Sequence, residues 1–122
     1  MAEFKPRISV EYTKEAAIIS FTNDKILEEK EIEQIQESIM SVVQQADNVN
    51  LILDFSKVKF LSSAVLGFLI RLSKKVYERG GQLRLCNITP KIYEIFKITR
   101  LTKVFDIYQD VDGAIESLSS AE

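Results

Sequence analysis

The sequence contains no histidine in its 122 residues. That absence removes Ser-His-Asp and Cys-His catalysis together with the commonest metal ligand. Cysteine is nearly as scarce. Cys86 stands alone, so no intramolecular disulfide can form and nothing points to an oxidising compartment. Its place in the run Leu83-Arg84-Leu85-Cys86 reads as a small buried hydrophobe rather than a reactive thiol. A basic excess is also missing: 16 Lys and Arg stand against 18 Asp and Glu, for a formal charge of −2. Nucleic-acid binders show a basic excess or a basic run, and this chain has neither, so no nucleic-acid partner is expected. Long apolar runs are lacking too. Residues Met1 to Arg7 hold no signal-peptide core. The longest apolar stretch, Val58 to Ile70, includes Lys59, Ser62, Ser63 and Gly67 and is too short for a bilayer. The expectation is a soluble cytoplasmic protein without membrane contact.

What is present is enough for a core. Hydrophobic residues make up 46% and charged residues 28%, a globular balance that fits one domain over 1–122, with an ordered core of about 7–118. Ile8 to Tyr12 alternates like a strand, and Ala16 to Phe21 is a second, joined to the first by the polar turn Thr13-Lys14-Glu15. Thr22 to Lys25 are turn formers. From Glu29 to Ala46 the period lengthens. Ile32, Ile35, Ile39, Val42, Val43 and Ala46 fall on one helical face, behind an acidic start at Glu28, Glu29 and Glu31.

Leu51 to Phe55 is a nearly continuous apolar strand, as expected of one covered on both faces. Val58 to Leu61 is a short extended run, and Ser62-Ser63 opens a helix that Gly80-Gly81 stops. Gln82 to Cys86 is the next strand, and Thr89-Pro90 starts a helix through Ile98. Val104 to Tyr108 is a last strand, and Asp110 caps a final helix. The order β-β-α-β-α-β-α-β-α predicts an α/β fold: a mostly parallel sheet with an antiparallel N-terminal strand, and helices packed against it.

Enzyme signatures are absent. Gly80-Gly81 follows a helix and precedes a strand, the reverse of a phosphate-binding turn, and no Gly-x-Gly-x-x-Gly occurs. Asp24, Asp54 and Asp106 are scattered through strands and turns and read as solvated turn and cap residues, not as a catalytic pair. No metal, cofactor or enzymatic activity is expected. The most informative stretch runs from Asp54 to Gly67. A hydroxyl at a helix start has two uses: it can cap free N–H groups for about 1 kcal/mol, or carry a phosphate where those groups and the helix dipole hold it. Position alone leaves both open.

The segments Leu53-Asp54-Phe55-Ser56, Phe60-Leu61, Ser63, Leu66-Gly67, Gly80-Gly81, Cys86, Pro90 and Phe96 to Leu101, in that order, resemble the STAS family. This is the domain shared by sulfate transporters and bacterial anti-sigma factor antagonists. The resemblance covers essentially the whole chain. It implies a partner that is both anti-sigma factor and serine kinase of the histidine-kinase-like ATPase type. It also implies a PP2C-like phosphatase and a phosphoacceptor that aligns with Ser63, with Ser62 as its rival. Two departures stand out. Ser62 replaces the family's aspartate and Ala64-Val65 its Ser/Thr-Gly. In the early loop the usual aspartate falls on Ile26, leaving Asp24 as its substitute. The expected partner surface is Asp24, Ser62, Ala64, Val65 and Phe68, the last two as surplus apolar residues on the helix. The alternative is a scaffold module of the same family that assembles into a larger complex without switching. The residues are also compatible with a homodimer.

Overall fold

The computed structural model describes residues 8–119. Five strands form one sheet: β1 (Ile8–Tyr12), β2 (Ala17–Phe21), β4 (Leu51–Asp54), β6 (Leu83–Cys86) and β7 (Asp106–Tyr108), side by side in that order. β1 runs antiparallel to β2, with Ile8 opposite Phe21, and every later pairing is parallel. Two further strands, β3 (Lys25–Ile26) and β5 (Phe60–Leu61), make a separate parallel pair. They lie where the sequence predicts a turn and an extended run. A two-residue strand is too short to carry a period, so only the partner across the chain reveals it.

α1 (Glu29–Gln44), α2 (Ser63–Glu78) and α3 (Pro90–Ile98) connect successive parallel strands and share one face of the sheet. Ile32, Ile35 and Ile39 of α1, Leu69 and Leu72 of α2, and Ile92 and Phe96 of α3 join Ile19, Leu51, Leu53 and Leu85 in a single core. The fold class expected from the sequence is the one observed. Ala46, expected on the buried face of the first helix, is exposed because α1 ends at Gln44. The last strand also starts later than expected, at Asp106, after a 3-10 turn over Leu101–Lys103.

Helix ends follow local chemistry. Thr89 accepts a 3.4 Å bond from the Ile92 N–H, with Pro90 in the first turn. Asp110 accepts a 2.7 Å bond from the Gly113 N–H at the start of α4 (Val111–Ser119). α2 stops at Gly80, whose φ of 83° is the left-handed conformation a glycine adopts without strain. There Gly80 N–H bonds to Tyr77 O and Gly81 N–H to Val76 O. A Cβ on Gly81 would stand 2.0 Å from the Val49 carbonyl oxygen, so the second glycine is required by close approach of backbone. α3 also ends on a left-handed residue, Arg100 at φ 64°, whose N–H bonds to Lys97 O. Arg100→Gly is expected to raise stability by up to about 1 kcal/mol by relieving that conformation, measured by urea unfolding; a loss would contradict it.

α4 covers the opposite face of the sheet, where Ala114 and Leu118 pack on Ala16, Ile18, Ile52 and Cys86. Arg84, read in the sequence as one residue of an apolar run, is 6% exposed and fully engaged. It donates to Ser117 Oγ at 2.9 Å and to Gln82 Oε1, and pairs with Asp106 at 3.3 Å. Those partners satisfy a charge that burial would otherwise penalise heavily. Cys86, 0% exposed, has its thiol pushed up to about 12, first by burial and then by Asp54 and Asp110. The fold thus prefers the neutral thiol. Its contribution to stability is complete below the ordinary value of 9.0 and is lost as pH rises from there toward about 12. At pH 8 the native protein is expected to resist a thiol reagent and to react fully once unfolded; rapid native labelling would contradict the burial.

Candidate functional site

The region singled out in the sequence is assembled by the β3–β5 pair. Asp54, at the end of β4, accepts from the Ser56 N–H at 2.9 Å and from Asn87 Nδ2 at 3.0 Å, which fixes the turn out of the sheet. Phe55 N–H bonds to Cys86 O, and Val58 N–H closes back on Phe55 O. The chain then meets the early loop. Lys59 and Phe60 both donate N–H to Asp24 O, at 2.7 and 3.0 Å, and Ser62 N–H donates to Ile26 O at 3.0 Å. Asn23 to Ile26, distant in sequence, are therefore held against the residues that lead into α2.

Ser62 is the N-cap of α2, with φ −90° and ψ 164°, yet its side chain makes no capping bond. Its Oγ is buried without a hydrogen-bond partner among the described residues. Ser63 is the first residue of the helix and is exposed. The first turn of α2 has no acidic residue. Ser62 thus gives no side-chain cap to the N–H groups that open the helix, and its own first turn supplies no carboxylate to the positive end of the dipole. Of the two uses of a hydroxyl at this position, Ser62 does not take the capping one.

Two residues expected at the surface are not there. Val65 and Phe68 are 4% and 3% exposed and belong to the core. α2 lies between α1 and α3 on the sheet, so it buries a wider arc than an outer helix: Val65, Leu66, Phe68, Leu69, Leu72 and Val76. The surface near Ser63 is made by others. Ala64 is exposed, and so are Leu27 (51%) and Phe60 (38%). Leu27, Ile32, Ser62 and Ala64, rimmed by Glu29 and Glu33, line a groove of about 390 Å³ between the starts of α1 and α2. The sequence carried a faint signal for Leu27: it precedes the acidic start of α1 and lies off that helix's apolar stripe. Phe60 gave none, since it sits in a run that alternates with buried Val58.

Asp24 lies at this surface through its backbone, with its side chain exposed. Asp54 serves a turn and Asp106 an ion pair, so the three scattered aspartates do not converge. Among the described residues no group of His, Cys, Asp and Glu could hold a metal ion, and no helix is long and apolar enough to cross a membrane.

The sequence from residue 7 to residue 114 matches the STAS domain. The chain belongs to the STAS family. Among curated STAS relatives, the anti-sigma F factor antagonist of Paenibacillus polymyxa is 19% identical over 112 residues, covering 92% of this chain and 94% of the relative. An anti-sigma-factor antagonist STAS domain protein from Planctomyces limnophilus superposes with a TM-score of 0.84 at 25% identity, over 92% of this chain and 97% of its own. The Bacillus cell fate determinant SpoIIAA in its phosphorylated form has the same fold. Its TM-score is 0.69 at 20% identity, over 91% of this chain and 98% of its own.

Proposed function

We propose that this STAS protein is an anti-sigma factor antagonist whose binding is ended by phosphorylation of Ser63. The unmodified form binds an anti-sigma factor that is also a serine kinase of the histidine-kinase-like ATPase type, and so frees the sigma factor. A PP2C-like phosphatase resets it. The protein acts by binding rather than by catalysis. The observation that carries this reading is an exposed serine at the uncapped start of α2, beside the exposed apolar residues Leu27, Ala64 and Phe60. Relatives named as anti-sigma factor antagonists, and a fold neighbour described in a phosphorylated form, support it.

The physics of the switch is a difference between two states of one surface. In the free protein a phosphate on Ser63 is solvated and is stabilised by the N–H groups of the first turn. Docked against a partner, the same dianion loses its water, a penalty of several kcal/mol unless the partner supplies cations. Ser62 is less suited as acceptor because its hydroxyl is buried. The test is to incubate the protein with its partner kinase and ATP and to locate the phosphate by mass spectrometry. Modification of Ser63 is the expected result. A phosphate found only on Ser62 or elsewhere, or none, would overturn the assignment.

A further inference from the structure

The sequence departs from the family's acidic residues at Ser62 and Ile26, and the structure places lysines on the β3–β5 side of the switch serine. Phe60 is held beneath two ammonium groups: Lys91 Nζ lies 4.3 Å from its ring centroid and Lys25 Nζ 5.7 Å. Both distances are within cation–π range. Lys25 comes from β3 and Lys91 from the first turn of α3, so three separate segments meet on this ring. Lys57 and Lys59 are exposed on the segment that leads to Phe60. Among the described residues none of these four lysines is ion-paired with a carboxylate, whereas Arg79, Arg84 and Lys97 each are. Asp24 is the carboxylate of the same segment. A cluster of unpaired cations in a chain of net charge −2 is a local field, not a reflection of composition.

On the other side of the α2 start, Glu29 and Glu33 rim the groove beside Leu27. The face around Ser63 therefore has an acidic flank on α1 and a basic flank centred on Phe60. We propose that the basic flank, Lys25 and Lys91 on the Phe60 ring with the exposed Lys57 and Lys59 of the segment leading to it, is the docking surface for an acidic segment of the partner protein. This rests on the reading of the Ser63 face as the partner surface. The two flanks set the direction in which the partner lies, because a reversed orientation places like charges together. A single-stranded nucleic acid fits less well: the ring it would stack on already carries Lys91, and the acidic flank repels a long polyanion. Phosphorylation of Ser63 adds about −1.5 to −2 charges to this surface and weakens its attraction for the acidic segment.

The test titrates the isotope-labelled protein with a short peptide alternating glutamate and alanine, its lysine–alanine counterpart, and a short single-stranded DNA, following amide shifts. The expected result is binding of the glutamate peptide, weakened by salt, with shifts confined to residues 24–26, 57–64 and 89–93. In Lys25→Glu/Lys91→Glu the affinity should fall on the order of tenfold, the sum of two exposed attractions lost and two repulsions gained. If that variant does not fold, Lys57→Glu/Lys59→Glu should show the same loss. Equal or tighter binding of the lysine peptide or the DNA, shifts elsewhere, or a folded variant with unchanged affinity would each overturn the proposal. The assay uses neither kinase nor phosphate, so it stands apart from the question of whether Ser63 is modified.

Discussion

Ser63→Asp is expected to bind the partner kinase at least about a hundredfold more weakly than Ser63→Ala, measured by titration calorimetry. Ser63 is the first residue of α2 and its side chain reaches solvent, so either replacement is expected to leave the core intact. In the free protein the aspartate is stabilised by the helix start, on the order of 0.3–1 kcal/mol. In the proposed complex it would be desolvated on the surface formed by Leu27, Ala64 and Phe60. An uncompensated charge in such a place costs about 3–5 kcal/mol, and 1.4 kcal/mol is a factor of ten in affinity. Alanine removes the hydroxyl without adding charge and should bind like the parent. The two variants should also differ in melting temperature in the opposite sense, with aspartate slightly the more stable. Equal affinities would remove charge at this position as the switch.

The second large effect is structural. Phe55→Ala should lower stability by about 3–5 kcal/mol in urea unfolding and the melting temperature by more than about 10 °C. Phe55 is 0% exposed and its ring lies 4.9 Å from that of Phe21. It is also the anchor from which the chain leaves the sheet, with its N–H on Cys86 O and its carbonyl accepting from Val58. Loosening it frees the segment that carries Lys57 to Ser62. Partner binding should therefore weaken even at temperatures where the variant is folded. A change below about 1 kcal/mol would show that the turn is held by its hydrogen bonds and not by this side chain.

The parts of the fold set by periodicity were legible in the sequence. Ile32, Ile35, Ile39, Val42 and Val43 mark the buried face of α1, and Leu51 to Leu53 mark a central strand, because burial on one or two faces imposes those patterns. Caps at Thr89 and Asp110 and the stop at Gly80 were equally readable, since each depends on a residue or two of local chemistry. The β3–β5 pair was not. Two residues carry no period, and its hydrogen bonds join Asp24 and Ile26 to residues more than 30 positions later. Nor was the fate of Val65 and Phe68, which depends on α2 having a helix on either side. Arg84 was hidden in the same way, as its partners come from α4 and from the neighbouring strand. The site followed this division. Ser63 at a helix start was visible; the exposed Leu27 and Phe60 around it, and the lysines on Phe60, needed three dimensions.

On the proposed function, a phosphate on Ser63 ends binding of a partner to the start of α2. The direct measurement is the affinity of one preparation for its kinase partner before and after enzymatic phosphorylation, with the phosphate located on Ser63 in the same sample. Tight binding is expected before, a loss of at least about a hundredfold after, and recovery on treatment with a PP2C-like phosphatase. Unchanged affinity in protein fully phosphorylated at Ser63 would contradict it.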